Sequence, residues 1–177
     1  MMRGLIVYGA PATGKSTLTS ELHRLSGQFV PFPIVKCGPG RTTGYRMVEP
    51  DELDAIRAAS NDVVWEQQRY GATYVVLRSD LINRSDREIP MVELGQPAAV
   101  DAVISGTPEV RWHVVELRCA RATVAARVSA RGTGDDTERM AHYDTTPPLS
   151  SADLVVDTGS VAPTVAARMV ARSMGYG

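Results

Sequence analysis

Residues 9–17 read Gly9-Ala10-Pro11-Ala12-Thr13-Gly14-Lys15-Ser16-Thr17. Gly, four residues, then Gly-Lys-Ser is the complete pattern of a phosphate-binding loop. Gly9 and Gly14 carry no Cβ, so the backbone can curl tightly and aim its N–H groups at anionic oxygens. Lys15 supplies a mobile ammonium for the β- and γ-phosphates of a nucleotide, and Ser16 a hydroxyl for Mg²⁺. A helix beginning near Lys15 directs its partial positive end at the same phosphates. Gly9, Ala10, Pro11, Ala12, Thr13, Gly14, Lys15, Ser16 and Thr17 are therefore the expected ATP-binding residues, with Ser16 the metal ligand.

The flanks suit the motif. Upstream, Leu5-Ile6-Val7-Tyr8 is an apolar run of strand formers, and downstream Leu18, Leu22 and Leu25 recur at helical spacing. Strand, glycine loop and helix follow one another as a phosphate loop requires. Further on, apolar runs alternate with helical patterns. Strands are expected in 29–36, at 63–65, 73–77, 89–94, 111–117 and 154–156. Helices are expected at 50–59, 97–104, 120–131, from 137, and at 162–174, with a polar helical link over 79–87. The run from Arg111 to Leu117 is almost continuously apolar, as in a parallel strand covered on both faces. The expected fold is α/β: a P-loop NTPase-type three-layer fold with a parallel sheet, one domain over 1–177. Residues 37–88 are expected to form a small inserted subdomain, and 131–146 a flap bearing arginines.

Composition sets bounds. The 177 residues are 44% hydrophobic and 22% charged, with a net charge of −1. That balance suits a globular domain and offers no global basic field for a nucleic-acid backbone. No apolar run approaches a bilayer span, and the first strand begins too early to leave room for a signal peptide. Cys37 and Cys119 lie far apart and form no ligand pair. The expectation is a cytoplasmic protein, monomeric or homodimeric, with no membrane or nucleic-acid partner. Arginine greatly outnumbers lysine, and its planar fork suits phosphate oxygens.

Arg127, Arg131 and Arg139 flank the segment Gly132-Thr133-Gly134-Asp135-Asp136. A spacing of four puts Arg127 and Arg131 on one face of a continuous helix. An arginine-bearing flap closing over ATP would neutralise charge on the transferring group and exclude water. Lys15, Arg127, Arg131 and Arg139 are thus the expected catalytic residues of an ATP-dependent kinase.

These residues resemble the guanylate kinase-like group of P-loop nucleoside monophosphate kinases. Arg127-Val-Ser-Ala-Arg131-Gly132-Thr133 is similar to that family's Arg-Leu-x-x-Arg-Gly-Thr. Arg41-Thr42-Thr43-Gly44-Tyr45 resembles a shortened acceptor-phosphate loop, which implies Arg41 and Tyr45, with Arg46 as helper, as ligands of a monophosphate. Trp65-Glu66 and Gly71-Ala72-Thr73-Tyr74 resemble the segment with a guanine-reading glutamate and a second phosphate-binding tyrosine, here Glu66 and Tyr74. Met91-Val92-Glu93-Leu94-Gly95 resembles the strand with an acidic pair near acceptor and Mg²⁺, implying Glu93. Gly38-Pro39-Gly40 replaces a hydroxyl-rich start, Glu66 matches with a one-residue shift, and Gly95 stands at the second acid's place. The resemblance implies transfer from Mg·ATP to a nucleoside 5′-monophosphate. A second reading is a small-molecule kinase acting on a hydroxyl of a sugar, an antibiotic or a phosphorylated ribose. A third is a non-catalytic guanylate kinase-like binding module, which the intact phosphate loop argues against.

Overall fold

The computed structural model describes residues 1–59, 61–85, 87–132 and 134–176. Thr133, part of the Arg-Gly-Thr resemblance, lies outside the described residues. The phosphate loop follows β1 (Met2–Tyr8) and leads into α1 (Lys15–Leu25). β1 is the middle strand of a five-stranded sheet. Its neighbours are β7 (Ile89–Leu94) and β8 (Val110–Arg118), with β2 (Phe29–Pro31) and β9 (Leu154–Asp157) at the edges. Every pairing in it is parallel.

Strand alternation decides what each side of β1 touches. Leu5 and Val7 pack with Leu18 and Leu22 of α1 and with Ala166, Ala167 and Val170 of α7 (Pro163–Ser173). Ile6 and Tyr8 face the other way, against Ala99, Val100 and Val103 of α4 (Pro97–Gly106). Leu5, Ile6 and Val7 are fully buried, each worth roughly 1.5–3 kcal/mol relative to exposure. The small alanines of α7 let it lie close against α1.

A second sheet of four strands is ordered β4 (Tyr45–Met47), β3 (Ile34–Cys37), β6 (Ala72–Leu77), β5 (Val63–Arg69). One face is covered by α2 (Pro50–Ala58), through Val35, Val75 and Leu77 against Val48 and Leu53. The opposite face carries Ile34, Trp65 and Val76 into the core formed with α4. α3 (Arg78–Ile82) returns the chain to β7, and α5 (Arg121–Ser129) and α6 (Asp136–Thr145) follow β8.

The expected elements recur with instructive differences. The single strand expected over 29–36 is two strands in two different sheets. Pro33 stands between them, and Pro31 is tolerated because β2 is an edge strand. Tyr45–Met47, expected as loop, pairs with β3. The polar link over 79–87 is helical only through Arg78–Ile82. Among the described residues no helix is long and apolar enough to cross a membrane.

Candidate active site

The phosphate loop is held in a conformation few sequences tolerate. Ala12 has φ 59 and Gly14 φ 103, both left-handed. A Cβ on Gly9 would lie 2.7 Å from Thr13 Oγ1 and 2.8 Å from the Leu117 carbonyl oxygen. The Gly9 N–H donates to the Leu94 carbonyl at 3.2 Å, which pins the start of the loop to the end of β7. Lys15 Nζ donates to the Gly9 and Ala10 carbonyls at 2.7 and 2.9 Å. Burial pushes the Lys15 ammonium down to about 8. Glu93 opposes that shift, and the nearby cations Arg69 and Arg131 add to it.

Parallel pairing of β1 with β7 sets Glu93 beside Val7, one strand from the loop. The Ser16 hydroxyl donates to Glu93 Oε2 at 2.9 Å, and the Thr19 hydroxyl to Glu93 Oε1 at 2.8 Å. Thr19 was not foreseen from sequence, although Ser16 and Thr19 stand three apart on α1 and so share a face. Ser16 and Glu93 together are hard oxygen donors of the kind Mg²⁺ accepts alongside phosphate oxygens. Among the described residues no three His, Cys, Asp or Glu side chains gather as a protein-only metal cage.

The arginines of the second half divide. Arg127 Nη1 donates to the Ala12 carbonyl at 3.3 Å and to Thr158 Oγ1 at 3.2 Å, and Nη2 to the Thr158 carbonyl at 2.8 Å. The Thr158 hydroxyl in turn donates to the Thr13 carbonyl at 2.6 Å. Arg127 thus braces the back of the phosphate loop against the β9–α7 turn. α5 ends at Ser129, so Arg131 lies on the following turn and the two are not on one helical face. Both still line one cavity of about 370 Å³ with Gly14, Thr17, Thr158 and Pro163. Arg139 donates through Nε to Asp135 Oδ1 at 2.6 Å, and its guanidinium lies 5.1 Å from the Tyr70 ring centre.

On the second sheet, Lys36, Tyr74 and Gln67 form one cross-strand row on the face away from α2. Tyr45 and Tyr74 meet edge to face at 5.5 Å. Lys36 Nζ lies 5.3 and 5.6 Å from their ring centres and donates to the Arg41 carbonyl at 2.7 Å. Burial pushes the Tyr74 hydroxyl up to about 12. Burial also raises Tyr45, whose field includes Arg41, Glu93 and Arg139. Arg131 is held below the usual arginine range by burial and then by Arg139, Arg41 and Arg127. Tyr45 therefore lies within electrostatic reach of Arg41, Glu93 and Arg139, and Arg131 within reach of Arg41, Arg139 and Lys15, while Arg41 Nε donates to the Thr43 carbonyl at 2.9 Å.

Two expected acceptor residues stand elsewhere. Glu66 faces α2, where Arg57 holds it at 2.5 Å, and Arg46 pairs with Asp80 at 3.1 Å. The register explains Glu66. A bulge between Val63 and Trp65 adds a residue to β5, so Glu66 sits opposite Val75 on the α2 face. Gln67 takes the face of Lys36 and Tyr74 instead, and Trp65, on that same side, packs into the core with α4.

No protein-family model and no curated protein matches the sequence. Solved structures do match over nearly the whole chain. A guanylate kinase from Anaplasma phagocytophilum superposes with TM-score 0.63 at 12% identity, covering 97% of this chain and 83% of the other. A sugar kinase from Janibacter sp. gives TM-score 0.56 at 12% identity, covering 100% and 96%. A gluconokinase from Sinorhizobium meliloti 1021 gives 0.54 at 14% identity, covering 98% and 91%. The chain has the fold of P-loop kinases. Identities this low speak for the fold alone.

Proposed function

We propose that this protein transfers the γ-phosphoryl group of Mg·ATP to a small phosphorylated acceptor, a nucleoside 5′-monophosphate in the first instance. The observation that carries this reading is Glu93, which accepts from both Ser16 and Thr19 beside Lys15 and whose field reaches Tyr45 on the second sheet. Lys15 and Arg131 neutralise the transferring group, Arg127 braces the loop that cradles it, and Arg139 holds the lid of residues 131–146 or the acceptor phosphate. The insertion of residues 37–88 presents the acceptor. The cavity beside Arg127 takes the adenosine half of ATP. Ser16, with Glu93 beside it, would hold Mg²⁺, whose charge would offset that of the phosphates. Such a reaction needs position and charge neutralisation rather than a covalent intermediate.

A hydroxyl acceptor is the second reading. Its support is that Glu66 lies on the α2 face while neutral Gln67 lies on the face of Tyr74, and that a sugar kinase and a gluconokinase have a like fold. Against it, a hydroxyl needs a base, and both oxygens of Glu93 already accept hydrogen bonds.

The test is coupled ADP release from Mg·ATP with GMP, dGMP, AMP, CMP, UMP and dTMP, and with gluconate as a hydroxyl acceptor. Turnover with one monophosphate supports the first reading, and turnover with gluconate alone the second. Lys15→Ala should lower kcat/KM about a thousandfold, or about 4 kcal/mol. Near-wild-type turnover in that variant sinks the assignment of the loop.

A further inference from the structure

The β5–β6 hairpin carries a group that the phosphate-loop motif does not announce. Its turn is Tyr70-Gly71, with φ 53 and 68, the left-handed pair that a two-residue hairpin of this hand requires. The turn locks Arg69 opposite Ala72. Alternation then sends Arg69 to the same side of the sheet as Trp65 and Gln67. Its guanidinium reaches Gly95, the residue after β7. A Cβ built on Gly95 would lie 3.3 Å from Arg69 Nη1 and 3.6 Å from the Gly9 carbonyl. That Gly9 carbonyl is also the one accepting Lys15 Nζ. Arg69, at the end of β5, and Lys15, at the start of α1, therefore approach the first residue of the phosphate loop from two sides.

Several buried polar atoms of this hairpin lack hydrogen-bond partners. Among the described residues, the buried side-chain atoms without a hydrogen bond are Trp65 Nε1, Gln67 Oε1, Arg69 Nε and Tyr70 OH. All four belong to six consecutive residues. A buried N–H left without a partner is costly, more so when charged, so such a cluster calls for a ligand or ordered water. No salt bridge among the described residues joins Arg69 to a carboxylate. Two neighbouring cations in a half-buried cleft repel each other until an anion lies between them.

We infer that Arg69 is a phosphate-binding residue at the point of transfer, an arginine delivered to the phosphate loop by the acceptor hairpin through the gap left at Gly95. This rests on the phosphotransfer reading above. The ligand is a phosphoryl group, and two sources supply one: the γ-phosphate of the nucleotide and the phosphate of the acceptor. A guanidinium presents parallel N–H donors to such a group, which a lysine at this position would not reproduce. Gly95 is the enabling residue, because any side chain there would enter the space Arg69 uses.

The experiment compares wild type with Arg69→Gln and Arg69→Lys by calorimetry with Mg·ADP and Mg·ATPγS, and by KM across the monophosphate panel. If Arg69 holds the γ-phosphate, Arg69→Gln leaves the Kd for ADP unchanged. It then reduces the extra affinity for ATPγS over ADP roughly tenfold, with partial recovery in Arg69→Lys. If it holds the acceptor phosphate, both nucleotide Kd values stay unchanged and the acceptor KM rises roughly tenfold or more. Gly95→Ala keeps the hairpin intact and crowds Arg69, so it should shift the same quantity in the same direction by less. Unaltered nucleotide binding and unaltered acceptor KM in Arg69→Gln would overturn the inference, as would equal weakening of ADP and ATPγS. A wild-type protein that binds neither nucleotide overturns the phosphotransfer reading itself, and this inference with it.

Discussion

ATP binding should draw a proton onto the protein at alkaline pH, and Lys15 should be the site. Without nucleotide, burial brings the Lys15 ammonium from 10.5 down to about 8, the Glu93 carboxylate only partly resisting. Phosphate oxygens arriving beside it favour the charged form and restore a value near that of free lysine. At pH 8.5 only about one-quarter of unliganded molecules then carry the proton. Binding therefore takes up about 0.7 proton at pH 8.5 and only about 0.1 at pH 7. The sign follows from the same linkage: a ligand that binds with proton uptake loses affinity as pH rises. The Kd for Mg·ATP should climb roughly tenfold per pH unit above about 8, until the pKa of the bound state is reached. The assay is calorimetry at each pH in two buffers of different ionisation enthalpy, whose difference in heat reports the protons exchanged. The chain's only other lysine is Lys36. Lys36→Met should therefore retain the uptake in full. Uptake below about 0.2 at pH 8.5, or its loss in Lys36→Met, would refute the reasoning. The linkage also acts on folding. Between about 8 and 10.5 the unfolded chain holds this proton more tightly than the folded one, so the unliganded protein gains stability as pH rises through that window.

Other perturbations separate the roles of neighbouring residues. Glu93→Gln keeps one acceptor oxygen for the Ser16 and Thr19 hydroxyls, replaces the other with an amide N–H donor, and removes the charge beside the metal position. It should cut kcat about a hundredfold and raise the Mg²⁺ concentration for half-maximal rate, with the metal-free Kd for ADP changed little. Gly9→Ala drives a methyl group to 2.7 Å from Thr13 Oγ1 and 2.8 Å from the Leu117 carbonyl. It should abolish measurable ATP binding and lower stability by about 2 kcal/mol in thermal or urea unfolding, because backbone cannot move aside cheaply. Glu66→Gln removes an ion pair with Arg57 on the α2 face and should leave every acceptor KM unchanged. Gln67→Ala, on the Tyr74 face of the same strand, should raise the acceptor KM severalfold, and the opposite ranking would mean the β5 register is misjudged.

Two kinds of information meet in this protein. The residues from Gly9 to Thr17 determine, by themselves, a phosphate loop between a strand and a helix. Each requirement there is local: glycine where a Cβ would clash, a lysine long enough to fold back, a hydroxyl on the first turn of the helix. The alternation of strand and helix patterns likewise makes a three-layer α/β fold legible, because periodicity reports which side of each element must be buried. Glu93 was readable as an acid at the end of a buried strand. Its grip on Ser16 and Thr19 depends on parallel pairing of β1 with β7, whose partners, such as Val7 and Glu93, lie 86 residues apart in sequence. Pro33 could be seen to interrupt a strand, yet only packing decides that β2 and β3 join different sheets. The acceptor side shows the limit most sharply. A single bulge at the start of β5 turns Glu66 outward and Gln67 and Arg69 inward, since a shift of one residue exchanges the two faces of a strand. Arg69 has no motif around it, and Gly95 reads in sequence as a missing acid. Only the folded chain shows that the absent side chain and the distant arginine occupy the same space.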